Sequence, residues 1–393
     1  DFPIFWESAH DATVVDVDGN EYLDCTAAFG VANAGHCNPR VAQAVADQAQ
    51  RLVHGMGDVH PTEIRIGLFQ RLASVLPKAL DRFFLATTGS EAVEAALKTA
   101  MLATGKSRFA AYAGAYHGLS FGALAVGGIP RFRDPFAARI PEGPLLLDFP
   151  GSRCTGAEAA SAARTALRSH PDVAALLVEP IQGRAGCIVP PAGYLHALRE
   201  VCDELGILLI VDEIFTGFGR TGSWFAVDRE GVVPDLLCIG KAMGSGVPIS
   251  AVAGRTAVMD AWPPSTGEAL HTSTYLGNPL ACAAAIATID ELHERDLPGR
   301  AARLGAAFAP SLQSLAVQTG VVEVRGAGLC WGVQLDSPAR AARVVRAALQ
   351  DAVIVLQSGV DGEVVSISPP LVIAEDELQR AIDVLRAAVV EAK

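Results

Sequence analysis

Lysine is scarce in this chain: Lys78, Lys98, Lys106, Lys241 and Lys393 stand against a large excess of arginine. Basic residues as a whole fall short of acidic ones, 31 against 43, which leaves a formal charge of -12 at pH 7. That deficit excludes a sequence-independent grip on nucleic acid or an anionic lipid surface, because both need clustered Lys and Arg. A small-molecule partner is expected instead. No run reaches the roughly eighteen unbroken apolar residues of a spanning helix, so a soluble protein with no membrane partner is expected. The start, Asp1-Phe2-Pro3-Ile4-Phe5-Trp6-Glu7, lacks a basic segment followed by an apolar run and does not read as a secretory leader. CxxC spacing is missing as well. The cysteines at 25, 37, 154, 187, 202, 238, 282 and 330 are scattered, several inside apolar runs, and read as buried small hydrophobes in a reducing cytoplasm. No HExxH occurs and the nine His do not cluster at ligand spacing, so no metal is expected.

What is present is globular: half the residues are apolar and 19% charged. A chain of 393 residues exceeds the size at which single cores stop growing, so a large domain with smaller flanking material is expected. Between residues 83 and 254, apolar runs at 83–85, 108–112, 174–179, 207–212, 236–240 and 250–253 alternate with helix-period stretches such as 158–169 and 194–205. Runs apolar on both faces are covered on both sides, the pattern of a parallel sheet wrapped by crossover helices. Asp18-Gly19-Asn20 between 13–17 and 21–23 reads as a hairpin turn. Leu378, Ile382, Leu385 and Val389 form one face of a closing helix. The expected class is α/β, with a mostly parallel central sheet flanked by helices over 49–295. A smaller α+β domain is expected from the two ends, 1–48 and 296–393.

Three segments carry chemistry. In Thr88-Gly89-Ser90-Glu91 a small polar loop opens a helical run, and free backbone amides at the positive end of the helix dipole make a phosphate cup. An ordinary Ser/Thr cap is the plainer alternative. In Ile207 to Glu213 a hydrophobic strand ends in Asp212, where open α/β sheets bind ligands. A buried acid there needs a cationic partner, either a protonated pyridine nitrogen or a structural arginine such as Arg220. Lys241 ends the strand Leu236-Leu237-Cys238-Ile239-Gly240 in a glycine-rich setting. Burial lowers the pKa of a lysine and frees its amine for covalent chemistry. Gly326-Ala327-Gly328 is no dinucleotide loop, because strand continues where that fingerprint needs a helix.

Taken in chain order, the loop at Gly89-Ser90, Tyr116-His117-Gly118, Glu179-Pro180-Ile181-Gln182-Gly183, Asp212-Glu213, Gly219-Arg220-Thr221-Gly222, Lys241 and Thr274-Tyr275-Leu276-Gly277-Asn278-Pro279 form a set. The set resembles the class-III (ornithine/4-aminobutyrate-type) aminotransferases dependent on pyridoxal 5′-phosphate (PLP), of PLP fold type I, over nearly the whole chain. The resemblance implies that Lys241 carries the cofactor as a Schiff base and shuttles the proton between substrate carbon and cofactor. It implies that Asp212 keeps the pyridine nitrogen charged, so that the ring acts as an electron sink. Tyr116 and Ile214 would cover the two ring faces. Gly89 and Ser90 would hold the phosphate, with Thr274 joining from the neighbouring subunit of a homodimer with shared sites. His117 and Glu179 fall inside the matching motifs and join the cofactor shell, although from the residues alone His117, like His36, reads rather as a satisfied structural histidine.

The chain departs from the family pattern on the substrate side. Where relatives place an Arg after Tyr-His-Gly, it has Leu119, and where many pair a Glu with an Arg three residues before a Pro-Pro, it has Arg184 and Ser366. Losing both members avoids stranding a buried charge, so the two changes read as coordinated. Arg184 is then either the anchor of a substrate carboxylate or a solvated loop residue beside an apolar pocket. Phe215 replaces a Gln and extends the wall at Ile214; Phe29, with Trp6 and Trp224, is a candidate for the entrance. The expected reaction is a ping-pong amino transfer from an amine or ω-amino acid to a keto acid or aldehyde. A racemase or epimerase on the same scaffold shares the first deprotonation, and a non-catalytic PLP-binding domain is the remaining alternative.

Overall fold

Residues 4–57, 59–140, 143–151, 154–267 and 269–392 are described by a computed structural model of the chain. Asp1, Phe2 and Pro3 of the start read for a leader, and Lys393, lie outside the described residues.

The N-terminal strands β1 (Trp6–His10), β2 (Thr13–Asp16) and β3 (Glu21–Asp24) form an antiparallel meander. Asp16 closes the expected turn, its Oδ1 accepting from the amides of Asp18 (3.0 Å) and Asn20 (2.9 Å). Gly19 takes the left-handed φ of +84° that such a turn favours in glycine. The helix Pro39–Arg51 follows, started by Asn38, whose side chain accepts from Arg40 (3.0 Å) and Val41 (3.3 Å). It packs on the helix Pro279–Glu294 and crosses the expected boundary at residue 48. A helix belongs to one core, so we propose that the division falls before Pro39.

The central sheet contains β4 (Arg82–Ala86), β5 (Arg108–Tyr112), β6 (Leu145–Leu147), β7 (Val173–Val178), β8 (Leu208–Asp212), β9 (Leu236–Ile239) and β10 (Ser250–Gly254). Their order is β4-β10-β9-β8-β7-β5-β6. Strands β5 to β9 pair in parallel, while β10 runs antiparallel to both its neighbours. Residues 240–249 are too short for the dozen or more that a crossover needs, so the chain returns in the opposite direction. The apolar run of β7 is buried at every position, as a strand covered on both faces must be. Among the covering helices, Tyr194–Leu205 coincides with its expected span.

C-terminal to this, β11 (Val321–Ala327) and β12 (Cys330–Leu335) form a hairpin through Gly328, where a dinucleotide loop was rejected. With β14 (Leu356–Ser358) and β15 (Val364–Ile367) they complete a second antiparallel sheet. The short β13 (Val353–Ile354) crosses to pair in parallel with β3, joining the two chain ends. The closing helix Glu375–Glu391 buries Leu378, Ile382, Leu385 and Val389, the face expected from their spacing.

Candidate active site

Because β4 runs parallel to β9, the C-terminal ends of β4, β5, β7, β8 and β9 open on one side of the sheet. The segments that follow them line a single cavity of about 450 Å3. Gly89, Ser90, Tyr116, His117, Glu179, Asp212, Ile214 and Lys241 line it. Thr274 does not; it is exposed elsewhere on the chain.

After β4 comes the helix Gly89–Thr104. Thr88 caps it, its side chain accepting from the Glu91 amide (3.3 Å) while Glu91 Oε2 accepts from the amides of Thr87 (2.8 Å) and Thr88 (2.9 Å). The plainer cap reading is thus met by Thr88 and Glu91. The amides of Gly89 and Ser90 are in the first turn, where N–H groups have no partner inside the helix. Side chains would close this approach. A Cβ on Gly89 would lie 2.9 Å from Ile214, and one on Gly118, whose φ is +119°, would lie 2.0 Å from Ser90 Oγ.

Asp212 is buried at the end of β8. Its partner is His117 rather than Arg220: His117 Nδ1 stands 2.8 Å from Asp212 Oδ2, and the Ile214 amide donates to Oδ1 at 3.0 Å. A carboxylate only accepts, so Nδ1 carries the proton. The other ring nitrogen, Nε2, is buried with no partner among the described residues. Arg220 is structural, donating to the carbonyls of Leu329 (2.9 Å) and Pro369 (2.5 Å) and to the Asn33 side chain. His36 is structural too, 2.7 Å from Asp24. Glu179 accepts from the amides of Tyr116 (2.9 Å) and Gly183 (3.1 Å) and so fixes both loops. Burial pushes it up to about 7, against the pull of His117.

Lys241 follows β9 with a left-handed φ of +46°, an uncommon conformation for a side chain of this size and one that gathers at functional sites. Its Nζ lies 4.8 Å from the centre of the Phe215 ring. Burial lowers its pKa, and the negative charges of Asp212 and Glu179 oppose that shift. Phe215 fits because Gly183 and Gly30 make room: a Cβ on either would come within 2.6 Å or 2.9 Å of the ring.

On the substrate side Arg184, Ser366 and Phe29 also line the cavity. Phe29 arrives on a left-handed turn in which Ala27, Ala28 and Phe29 all have positive φ. Leu119 lies outside the lining and exposed, its amide donating to Ser90 Oγ (3.3 Å). Of the aromatics considered for the entrance, Trp6 packs edge-on against His36 and Trp224 against the core, and neither lines the cavity. Phe132, Gln357, Ser358 and Ser368 line it without having been singled out. Ser368 carried a signal, since in extended chain residues two apart share a face with Ser366. Phe132 carried none.

These residues fit PLP. The cavity offers an amine of lowered pKa for the aldehyde, a buried carboxylate and imidazole for a ring cation, and uncommitted helix amides at a glycine cradle for the phosphate.

A family model described as aminotransferase class-III matches residues 1–389. The acetylornithine aminotransferase of Methanosarcina mazei is 39% identical over 386 residues, covering 98% of this chain and 92% of that protein. The putrescine aminotransferase of Pectobacterium atrosepticum is 40% identical over 396 residues, covering 97% and 82%. Among solved structures, the ornithine aminotransferase of Toxoplasma gondii superposes with a TM-score of 0.90 at 34% identity, covering 99% of this chain and 91% of that one. An amine transaminase from an uncultivated Pseudomonas species gives 0.93 at 32%, covering 100% and 96%.

Proposed function

The chain belongs to the class-III aminotransferases and is a PLP-dependent enzyme of amino transfer; from that premise we propose how its own residues divide the work. Lys241 would hold the cofactor through a covalent link to Nζ. When bound, PLP supplies an aldehyde that exchanges amines and a ring that accepts an electron pair. Asp212, held in place by the proton on His117 Nδ1 and by the Ile214 amide, would hold a protonated ring nitrogen. Tyr116 and Ile214 would cover the ring, and the amides of Gly89 and Ser90 would take the phosphate. When not covalently engaged, Lys241 Nζ would be the base that takes the proton from the substrate's amine-bearing carbon and delivers it to the acceptor atom.

The donor we propose is a primary amine at the end of an unbranched chain, as the names of the putrescine and ornithine relatives suggest, with a keto acid or aldehyde as acceptor. The neutral Ser366 on the cavity wall supports this, since it offers no cation to an α-carboxylate beside the reacting carbon. A cytoplasmic location is supported by the eight cysteines, all free thiols. The observation that carries the reading is that Lys241, of lowered pKa, is the one lysine on the cavity among the described residues. Borohydride reduction of the holoenzyme followed by peptide mass spectrometry should place the cofactor's mass on Lys241. Lys241→Met should lose both that label and turnover; retention of both would overturn the assignment.

A further inference from the structure

Phe132 stands between Tyr116 and two arginines. Its ring meets Tyr116 edge-on with 5.7 Å between centroids, and the guanidinium carbons of Arg131 and Arg184 lie 4.8 Å and 5.8 Å from its centre. Arg184 and Phe132 line the cavity, and Arg131 is exposed beside them, so this cluster marks the mouth. Asp212, His117 and Glu179 at the other end are buried.

The sequence left Arg184 open between a carboxylate anchor and a solvated loop residue. It is half-buried, and its loop is pinned, with the Arg184 carbonyl accepting from Gly359 (3.0 Å) and the Gln182 side chain donating to Ala113 (2.9 Å). Yet of the five donors of a guanidinium, one reaches an acceptor among the described residues, the Gly359 carbonyl, at 3.3 Å. Neither Arg184 nor Arg131 pairs with a carboxylate among the described residues. Glu363, whose charge acts on Arg184, is beyond ion-pair distance and accepts from the Asp361 amide (3.0 Å). Burial, and then the like charge of Arg131, push the Arg184 pKa down. An anion bound at Arg184 would offset both penalties. The opposite wall offers no competitor, because Ser366 is neutral and hydrogen-bonded to Ser358.

We infer that Arg184, aided by the charge of Arg131 at the same Phe132 ring, recognises the carboxylate of a substrate whose reacting carbon is several atoms away. This rests on the reading of the cavity as the site of amino transfer, because the mouth and Lys241 then bind opposite ends of one substrate.

Two acceptors of equal chain length, 4-oxobutanoate and butanal, differ in the charged end alone. Arg184→Ala should lower kcat/KM for 4-oxobutanoate about 10- to 100-fold, the range of a lost charged hydrogen bond, and leave butanal within about twofold. Arg184→Lys should recover part of the loss. Arg131→Ala should act in the same direction but less, and its effect should fade at high salt, as screening of an exposed charge requires. An equal loss for both acceptors, or no loss for either, would overturn the inference. Calorimetric titration of the holoenzyme with glutarate gives a readout independent of turnover. Kd should rise at least about 10-fold in Arg184→Ala, and an unchanged Kd would overturn the site even if the amino-transfer reading itself had failed on the wild type.

Discussion

Lys241 is caught between opposing influences. Burial drives it toward the free amine, while Asp212 and Glu179 stabilise its ammonium form. The first dominates, so in the apoenzyme the amine becomes available below the ordinary lysine range near ~10.4. The rate at which apoenzyme captures PLP, read as borohydride-trapped label, should therefore rise with pH to a plateau whose midpoint is below that range. Asp212→Asn removes a charge that favours the ammonium and should move the midpoint lower still; a shift upward would contradict the electrostatics. At this scale the sequence was informative where local context sufficed. An amine at a strand end and an acid closing an apolar run are visible without a fold. The partner of that acid was not, because His117 is 95 residues away and reaches Asp212 only once β5 and β8 are aligned in the sheet. Phe132, on the short helix Pro130–Arg133 with no periodic signal, was hidden for the same reason.

The helix Gly89–Thr104 presents its first-turn amides only as long as that turn is intact. Its start depends on the Thr88–Glu91 capping box, and Ser250 Oγ ties the Thr88 carbonyl to β10 at 2.6 Å. Thr88→Ala should cost about 1 kcal/mol of stability in denaturant unfolding, the usual worth of such a cap. If these amides hold the phosphate, the variant should also bind PLP more weakly, whereas a cap loss at the far end of a helix would change stability alone. Most elements were legible because buried strands read as unbroken apolar runs and helices by their period. The exceptions have physical causes. Strand β6 has three residues and sits at the sheet's edge, too short to show a pattern. The reversal of β10 is a matter of connection length rather than composition. The left-handed turn at Ala27, Ala28 and Phe29 runs against residue preference and is imposed by its surroundings, in which Asp24 Oδ2 accepts from Ala28 (3.1 Å).

For the molecule as a whole, the unexplained feature is an apolar face. Leu52, Val53, Met56, Val59 and Tyr275 are exposed, and they lie together: His54 meets the Tyr275 ring at 5.5 Å and Asn278 donates to the Val53 carbonyl (3.1 Å). Exposed apolar side chains gathered in this way would suit a contact surface. Thr274 is exposed in the same segment and away from its own cavity, which suits a residue serving the site of a second copy. If it does, Thr274→Ala should weaken PLP binding by roughly 10- to 100-fold, as for any hydrogen bond to a charged group. The hybrid of two variants is more telling. In a mixed dimer of Thr274→Ala with Lys241→Met, the one site that keeps its lysine receives its threonine from the Lys241→Met subunit. Subunit exchange should therefore restore wild-type PLP affinity to about half of the lysine-bearing sites when the two variants are mixed in equal amounts and pair at random. If the threonine served its own chain, that site would lack it in every pairing and mixing would restore nothing. Sedimentation of the mixture, which must show a dimer for exchange to have meaning, completes the measurement.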